Sequence, residues 1–507
     1  MDRKIWVLDT TLRDGEQAPG CSMSMDEKIE IAKQLERLNV DIIEAGFPVV
    51  SNDDFEAVRR IAALIQNCTV AGFCRATTGD IDRAWEAIKE AADPMINIFL
   101  ATSDIHMKYK FNVGREELLQ AAVRAVRHAA ALCPKVQFIA EDATRADKSF
   151  LLDVARAVEK AGATVIDLAD TVGYADPAEF GALVAFIRAG LAPETRLGVH
   201  CHNDLGMATA NTLAALRAGA DQFDCTILGI GERAGMAAME EVAMALRTRQ
   251  AYYSAHTMID TTQFLRASKL LSNSINLSVQ PNKAIVGGNA FAHEAGIHQH
   301  GIMANPLTYE IMKPEDVGVH VTKMVMGKHS GKAALKERLA QLGYHVDREK
   351  MEIVFARFKD LSDQKKIITD RDIEALVAGE VKAHQVYALD SFVVNSGTHL
   401  TATAVVKLAR KGKVYEHVAR GETPVIAAFN AVDKIVKHSF PLHHFSIQSI
   451  SEGRTELGES IVQVWNNDTL VTGRGLDTDI VEACIKAYVS AINNALSRDD
   501  AQEPDAE

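Results

Sequence analysis

Long apolar runs are missing from this 507-residue sequence. No uninterrupted stretch approaches the ~20 residues that a membrane-spanning helix needs, and Met1-Asp-Arg-Lys-Ile-Trp6 lacks the apolar core of a secretory signal. The chain is therefore expected in the cytoplasm, with no membrane partner. Cysteine is scarce as well: there are seven, an odd number without a short pairing pattern. That argues against a disulfide framework, fits a reducing compartment, and leaves the thiols as small buried filler. An excess of positive charge is also absent, 55 Lys and Arg standing against 68 Asp and Glu for a formal charge of −13. Nucleic acid is thus a poor partner, and an anionic substrate would need locally placed cations or a metal.

What is present is ordinary for a soluble globular protein: 47% hydrophobic and 24% charged residues, in a chain long enough for two or three domains. Through the first half, strand-like runs alternate with amphipathic helical ones. Eight runs qualify as strands: 5–10, 40–47, 69–75, 96–102, 136–141, 165–171, 196–202 and 222–228. Ser24-Met-Asp-Glu27 is a capping-box pattern ahead of Ile29, Ala32 and Leu35 at helical spacing. Eight strands separated by helices over roughly 250 residues predict a (β/α)8 barrel, with a doubly wound open sheet as the alternative.

In such a barrel the chemistry gathers where strands end. Leu197-Gly-Val-His-Cys-His-Asn-Asp204 puts His200 and His202 two residues apart, on one face of the seventh run, with Cys201 turned the other way. Asp14 follows the first run, and barrel closure brings the first and seventh runs near each other. One carboxylate and two imidazoles make an open site for Zn, Mn or Mg. Arg13 reads either as a salt-bridge partner for Glu44 or Glu141, or as a fixed cation beside a developing oxyanion. Glu141 is either a solvated rim carboxylate or a proton relay. Thr171 either caps local backbone or meets substrate. Gly231-Glu-Arg-Ala-Gly235 is a strand-to-helix turn whose amides suit an anion.

Asp9 to Gln17, His200-Cys-His-Asn-Asp-Leu-Gly206, Gly229-Ile-Gly-Glu-Arg-Ala-Gly235 and Gln280-Pro-Asn-Lys-Ala-Ile-Val-Gly287 together resemble the 2-isopropylmalate synthase group of the DRE-TIM metallolyases, which has homocitrate and citramalate synthase relatives. The resemblance covers nearly the whole chain. It implies a Claisen-type condensation of acetyl-CoA with a 2-oxo acid, foremost 2-oxoisovalerate to 2-isopropylmalate in leucine biosynthesis, followed by thioester hydrolysis. It further implies a divalent metal on Asp14, His200 and His202. Arg13, Glu141, His298 and Tyr309 match the catalytic set, the last two reaching the barrel mouth from a following subdomain. Arg13, His106, Ile139 and Thr171 match substrate-contacting positions.

Some positions depart from the family pattern. Met236 stands where the family has an Asn that contacts the metal, and a thioether is a poor ligand for a hard cation. Ile139 replaces a Ser and Ala169 a Pro, so the oxo acid accepted could differ from 2-oxoisovalerate. The domains are expected as a barrel over 1–275, mostly helical linker subdomains over 276–382, an α+β regulatory domain of two βββα units over 383–497, and a disordered acidic tail over 498–507. In the family the regulatory domain dimerises and binds leucine, although Gly421-Glu-Thr-Pro here replaces the more usual Gly-Asp-Gly-Pro. Three other readings stay open: another alkylmalate synthase of the citramalate, homocitrate or benzylmalate type, a carbon–carbon lyase, and a non-catalytic amino-acid sensor.

Overall fold

The computed structural model describes residues 3–319, 326–344, 346–364, 368, 370–377, 386–397, 400–449, 458–466 and 469–500. They fall into two compact units, Met1–Ala292 with Glu310–Lys323, and His293–Tyr309 with Met324–Glu507. In the first unit eight parallel strands form a closed barrel: β1 (Trp6–Asp9), β2 (Ile42–Glu44), β3 (Thr69–Arg75), β4 (Pro94–Ala101), β5 (Val136–Glu141), β6 (Val165–Asp170), β7 (Arg196–Cys201) and β8 (Gln222–Cys225). β8 returns to β1 with Trp6 opposite Gln222 and Asp9 opposite Cys225, which decides for the barrel over the open sheet. All eight expected strands form. The last is three residues shorter than its apolar run because the chain turns at Ile227–Gly229, where Leu228 has φ +63°.

Helices follow the strands, and side chains fix where several begin. Ser24 and Glu27 form the expected reciprocal cap ahead of Met25–Arg37. Ser51, Thr77, Asp147 and Asp176 each accept a backbone N–H at the start of Asn52–Leu64, Thr78–Ile88, Lys148–Ala161 and Pro177–Arg188. Each helix buries one apolar stripe on the outside of the barrel; in Lys148–Ala161 it comprises Phe150, Leu151, Val154, Ala155 and Val158.

Alternation along the strands sorts the barrel interior into tiers. Leu8, Ile42, Ala71, Met95 and Val165 form an apolar floor. Two residues further along their strands, or level with them, lie Glu44, Asn97, Gln137, Asp167, Gln222 and Asp224, all buried. The next inward positions, Phe73, Phe99, Ile139, Ala169 and His200, line a pocket at the mouth. All seven cysteines are free and buried, with Cys201 and Cys225 on the opposite faces of their strands from His200 and Asp224. Among the described residues no helix is long and apolar enough to cross a membrane.

Residues 276–292, read from the sequence as the start of the linker, belong to the first unit, where Val286 and Phe291 join the barrel's hydrophobic core. The second unit holds two cores. One gathers Leu335, Leu339, Val354, Phe358 and Ile373 from the helices Lys332–Gln341, Arg348–Gln364 and Asp370–Val377. The other lies in a duplicated βββα arrangement: β9 (Ala388–Gly397), β10 (Leu400–Arg410) and β11 (Lys413–Gly421) with helix Pro424–Val436, then β12 (Leu442–Ser449), β13 (Gly458–Asn466) and β14 (Thr469–Asp477) with helix Ile480–Asp500. Both sheets are antiparallel. The two helices meet through Phe429 stacked on Tyr488, whose hydroxyl donates to Asp433 at 2.6 Å. Residue 382, the expected domain limit, and 501–507 of the expected tail lie outside the described residues.

Candidate metal centre and barrel mouth

Asp14 begins the turn after β1, while His200 and His202 sit at the end of β7, and closure of the barrel brings the three together. His200 Nε2 and His202 Nε2 are 3.3 Å apart, and Asp14 Oδ2 is 3.6 Å from the first and 3.7 Å from the second. Tetrahedral bonds of about 2.1 Å place ligand atoms about 3.4 Å apart, so the triangle has the dimensions of one ion's ligand set. All three residues are buried, and among the described residues no other trio of His, Cys, Asp or Glu is grouped this way.

Each ligand is oriented from behind. Asp14 Oδ1 accepts the Glu232 N–H at 3.0 Å, a bond from the Gly229–Gly235 turn. Oδ2 accepts from Arg13 Nη1 at 2.7 Å. His202 Nδ1 faces the Gly235 carbonyl at 3.2 Å; a carbonyl only accepts, so Nδ1 carries the proton and Nε2 keeps its lone pair. His200 Nδ1 faces Asp224 Oδ2 at 3.3 Å. Gly235 takes φ +87°, and a Cβ there would run into the Gly229 carbonyl, so only glycine presents its own carbonyl to His202 in this way.

The charges balance tightly. Burial raises Asp14, but Arg13 and the two imidazoles outweigh it and hold the carboxyl well below the usual range. For His200, burial favours the neutral ring, yet bonds to Asp14 and Asp224 push it up to about 10. His202 goes the other way, to about 4, through burial and the neighbouring His200. Burial lifts Asp224, with the bond from His200 opposing.

Arg13 finds its salt-bridge partner in Glu44, with Nε 2.6 Å from Oε2, and not in Glu141. Its guanidinium also lies 4.1 Å from the ring centre of Phe73, which stacks on Phe99 at 4.6 Å. Glu141 is held instead by Lys110, whose Nζ donates to both carboxylate oxygens at 2.7 and 2.8 Å. Lys110 sits in the π-helical turn Met107–Phe111. His106 Nε2 is 3.7 Å from Glu141, and its Nδ1 is 2.9 Å from Asp142, which Arg145 also holds at 2.8 Å. The Thr171 hydroxyl accepts the Asp142 N–H at 2.8 Å, and its carbonyl accepts from Arg233. Ile139 and Thr171 line the mouth pocket with Arg13, Glu141 and the three ligands, around a cavity of 210 Å³. Phe47, Phe73, Phe99, Ile139 and Ala169 give it one apolar wall.

Met236 is buried, and its backbone bridges to His202. His298 and Tyr309 belong to the second unit, where their rings pair at 4.3 Å between centres and both side chains are exposed. The residues missed from sequence are Lys110, Asp224 and the three phenylalanines. A signal for Asp224 exists: in Gln222-Phe-Asp-Cys225 polar and apolar residues alternate, which puts two polar side chains inside the barrel.

The HMGL-like family model matches residues 4–271, the stretch that holds the closed barrel and its Asp–His–His trio. Two further models follow in order, homocitrate synthase post-HMGL domain-like over 285–366 and the LeuA allosteric (dimerisation) domain over 367–496. Over the full chain, the 2-isopropylmalate synthase of Ruminiclostridium cellulolyticum is 49% identical, with 98% of each chain covered. That of Dictyoglomus turgidum is 48% identical over 97% of this chain and 98% of its own, and that of Pyrococcus abyssi 47% identical over 95% and 99%. The chain belongs to the 2-isopropylmalate synthase family.

Proposed function

We propose that this chain condenses acetyl-CoA with 2-oxoisovalerate and releases CoA by hydrolysis, giving 2-isopropylmalate, a step of leucine biosynthesis. The observation that carries the reading is the Asp14–His200–His202 triangle, with its edges of 3.3 to 3.7 Å, set in a pocket with one apolar wall. The two imidazoles and the carboxylate would hold one divalent ion, Mg, Mn or Zn. The chemistry such an ion would supply is Lewis-acid polarisation of the oxo acid's ketone.

The protein's own groups do the rest. Arg13, fixed by Glu44 and Asp14, presents positive charge where the ketone oxygen becomes an oxyanion. Glu141, His298 and Tyr309 take the acid–base work, removing a proton from the acetyl methyl carbon and returning one to the oxygen formed. His106 and Thr171 position the oxo acid, and Ile139 with the phenylalanines receives its side chain. The cations near that wall are already neutralised, Lys110 by Glu141 and Arg233 by Asp204, which favours an aliphatic side chain over a second carboxylate. A domain limit at 382, leucine as effector, a homodimer formed through the tail and a cytoplasmic location complete the proposal.

The test is release of free CoA across a panel of 2-oxo acids with Mg²⁺, Mn²⁺ or Zn²⁺. Turnover is expected to be greatest with 2-oxoisovalerate. Turnover with pyruvate, 2-oxoglutarate or an aromatic oxo acid alone would reassign the substrate, and none with any acid despite bound metal would overturn the reading.

A further inference from the structure

The two imidazoles of the metal centre are oriented by different means. His202 is set by a backbone carbonyl, that of Gly235. His200 is set by a side chain, Asp224, whose Oδ2 lies 3.3 Å from Nδ1. Asp224 is itself fixed from below. Its Oδ1 accepts from Gln222 Nε2 at 3.2 Å, and the same amide nitrogen donates to Gln137 Oε1 at 3.0 Å. Gln222 Oε1 accepts from Arg196 Nη1 at 3.4 Å, so turning the amide over loses that bond together with the one to Asp224. The whole chain of contacts, Gln137–Gln222–Asp224–His200, is buried in the polar tier of the barrel. Gly198 leaves it room, since a Cβ there would stand 3.3 Å from Gln222 Nε2 and 2.5 Å from the Asp167 carboxylate.

Resting on the metal-centre reading above, we propose that Asp224 is a positioning residue that locks His200 in its metal-binding tautomer, and that Gln222 sets the direction of that lock. A carboxylate at 224 can only accept, so it keeps the proton on Nδ1 and the lone pair on Nε2, beside His202 and Asp14. An Asn in its place has one oxygen and one NH₂. Gln222, held by Gln137, claims the oxygen, which turns the NH₂ toward His200 Nδ1. The ring then accepts at Nδ1 and carries its proton on Nε2, where the metal should bind. The volume of the side chain is unchanged, and only the direction of the hydrogen bond reverses.

The test is titration of the full chain with Mn²⁺ and with Zn²⁺ by calorimetry, with circular dichroism as the check on folding. Asp224→Asn should weaken both ions by about 10- to 100-fold. Gln222→Met should weaken them mildly, two- to tenfold, by loosening Asp224. In the Asp224→Asn background the same Gln222→Met change should act in the opposite sense and restore affinity, because the Asn oxygen is released to face His200. A purely structural role predicts that the two losses add. An Asp224→Asn affinity within twofold of wild type overturns the inference, as does a double variant weaker than Asp224→Asn alone. Should Asp224→Asn fail to fold, Gln222→Met carries the test by itself, and an unchanged affinity overturns the inference. A wild type that binds no ion, indistinguishable from His202→Ala, sinks the metal-centre reading and this inference with it.

Discussion

Arg13 is held on three sides, by Glu44 through Nε, by Asp14 through Nη1, and by the face of Phe73. A planar guanidinium meets all three constraints together, and a lysine ammonium meets one at a time. Arg13→Lys is therefore expected to lower kcat for CoA release by roughly 100-fold or more, in the range found when a preorganised oxyanion donor is removed. Steady-state kinetics with the oxo acid saturating checks this, and an unchanged kcat would show that the cation has no part in the chemistry. Asp9 makes the stability of the fold depend on pH. Burial raises its carboxyl to about 7, against the bonds from Thr11 that pull it down. Since the folded pKa lies above the unfolded value of 3.8, the unfolded chain gives up this proton first as pH rises. The folded state then loses stability between about pH 4 and about pH 7 and no further above. Asp9→Asn lacks this titration, so its thermal midpoint should gain on the wild type's between pH 5 and pH 8. A constant difference would refute the shift.

At the scale of elements, the turn Gly229–Gly235 joins two jobs: its Glu232 N–H fixes Asp14 and its Gly235 carbonyl fixes His202. Gly235→Ala meets both a positive φ and the Gly229 carbonyl, so the turn must move. Metal affinity is expected to fall at least tenfold with little change in secondary structure, measured by titration beside circular dichroism. The strands were legible from sequence because each inward and outward set is defined within a single run, as in 69–75 and 136–141, where the limits match. The ligand trio was legible for the same reason, needing only alternation and closure. The partners of the trio were not. Lys110 reaches Glu141 across 31 positions, and does so because a π-helical turn displaces it, which no helical or strand period announces. Arg13 had two equally charged candidates, Glu44 and Glu141, and only the inward direction of β2 chose between them.

At the scale of the whole molecule, the metal ligands all lie in the first unit, while the second has hydrophobic cores of its own. An ion that binds only the folded barrel stabilises it by mass action, about 2.7 kcal/mol at 100 times its Kd. Calorimetric melting in Mn²⁺ is therefore expected to raise the transition of the barrel and leave that of the tail in place. The three tryptophans can assign the transitions, since Trp6 and Trp85 belong to the first unit and Trp465 to the second. A shift common to both would mean that the units melt as one.

The tiered interior also bears on how this enzyme can be altered. Asp224 and Gln222, which aim the ligand His200, lie one step deeper than Ile139, Phe73 and Ala169, which line the mouth pocket. The support of the metal ligand and the lining of the pocket are thus handled at separate depths of the same cylinder. Lineages, or engineers, can exchange the shallow residues to admit new keto acids while inheriting an untouched anchor beneath, so selectivity can drift without each new version having to reinvent its metal chemistry.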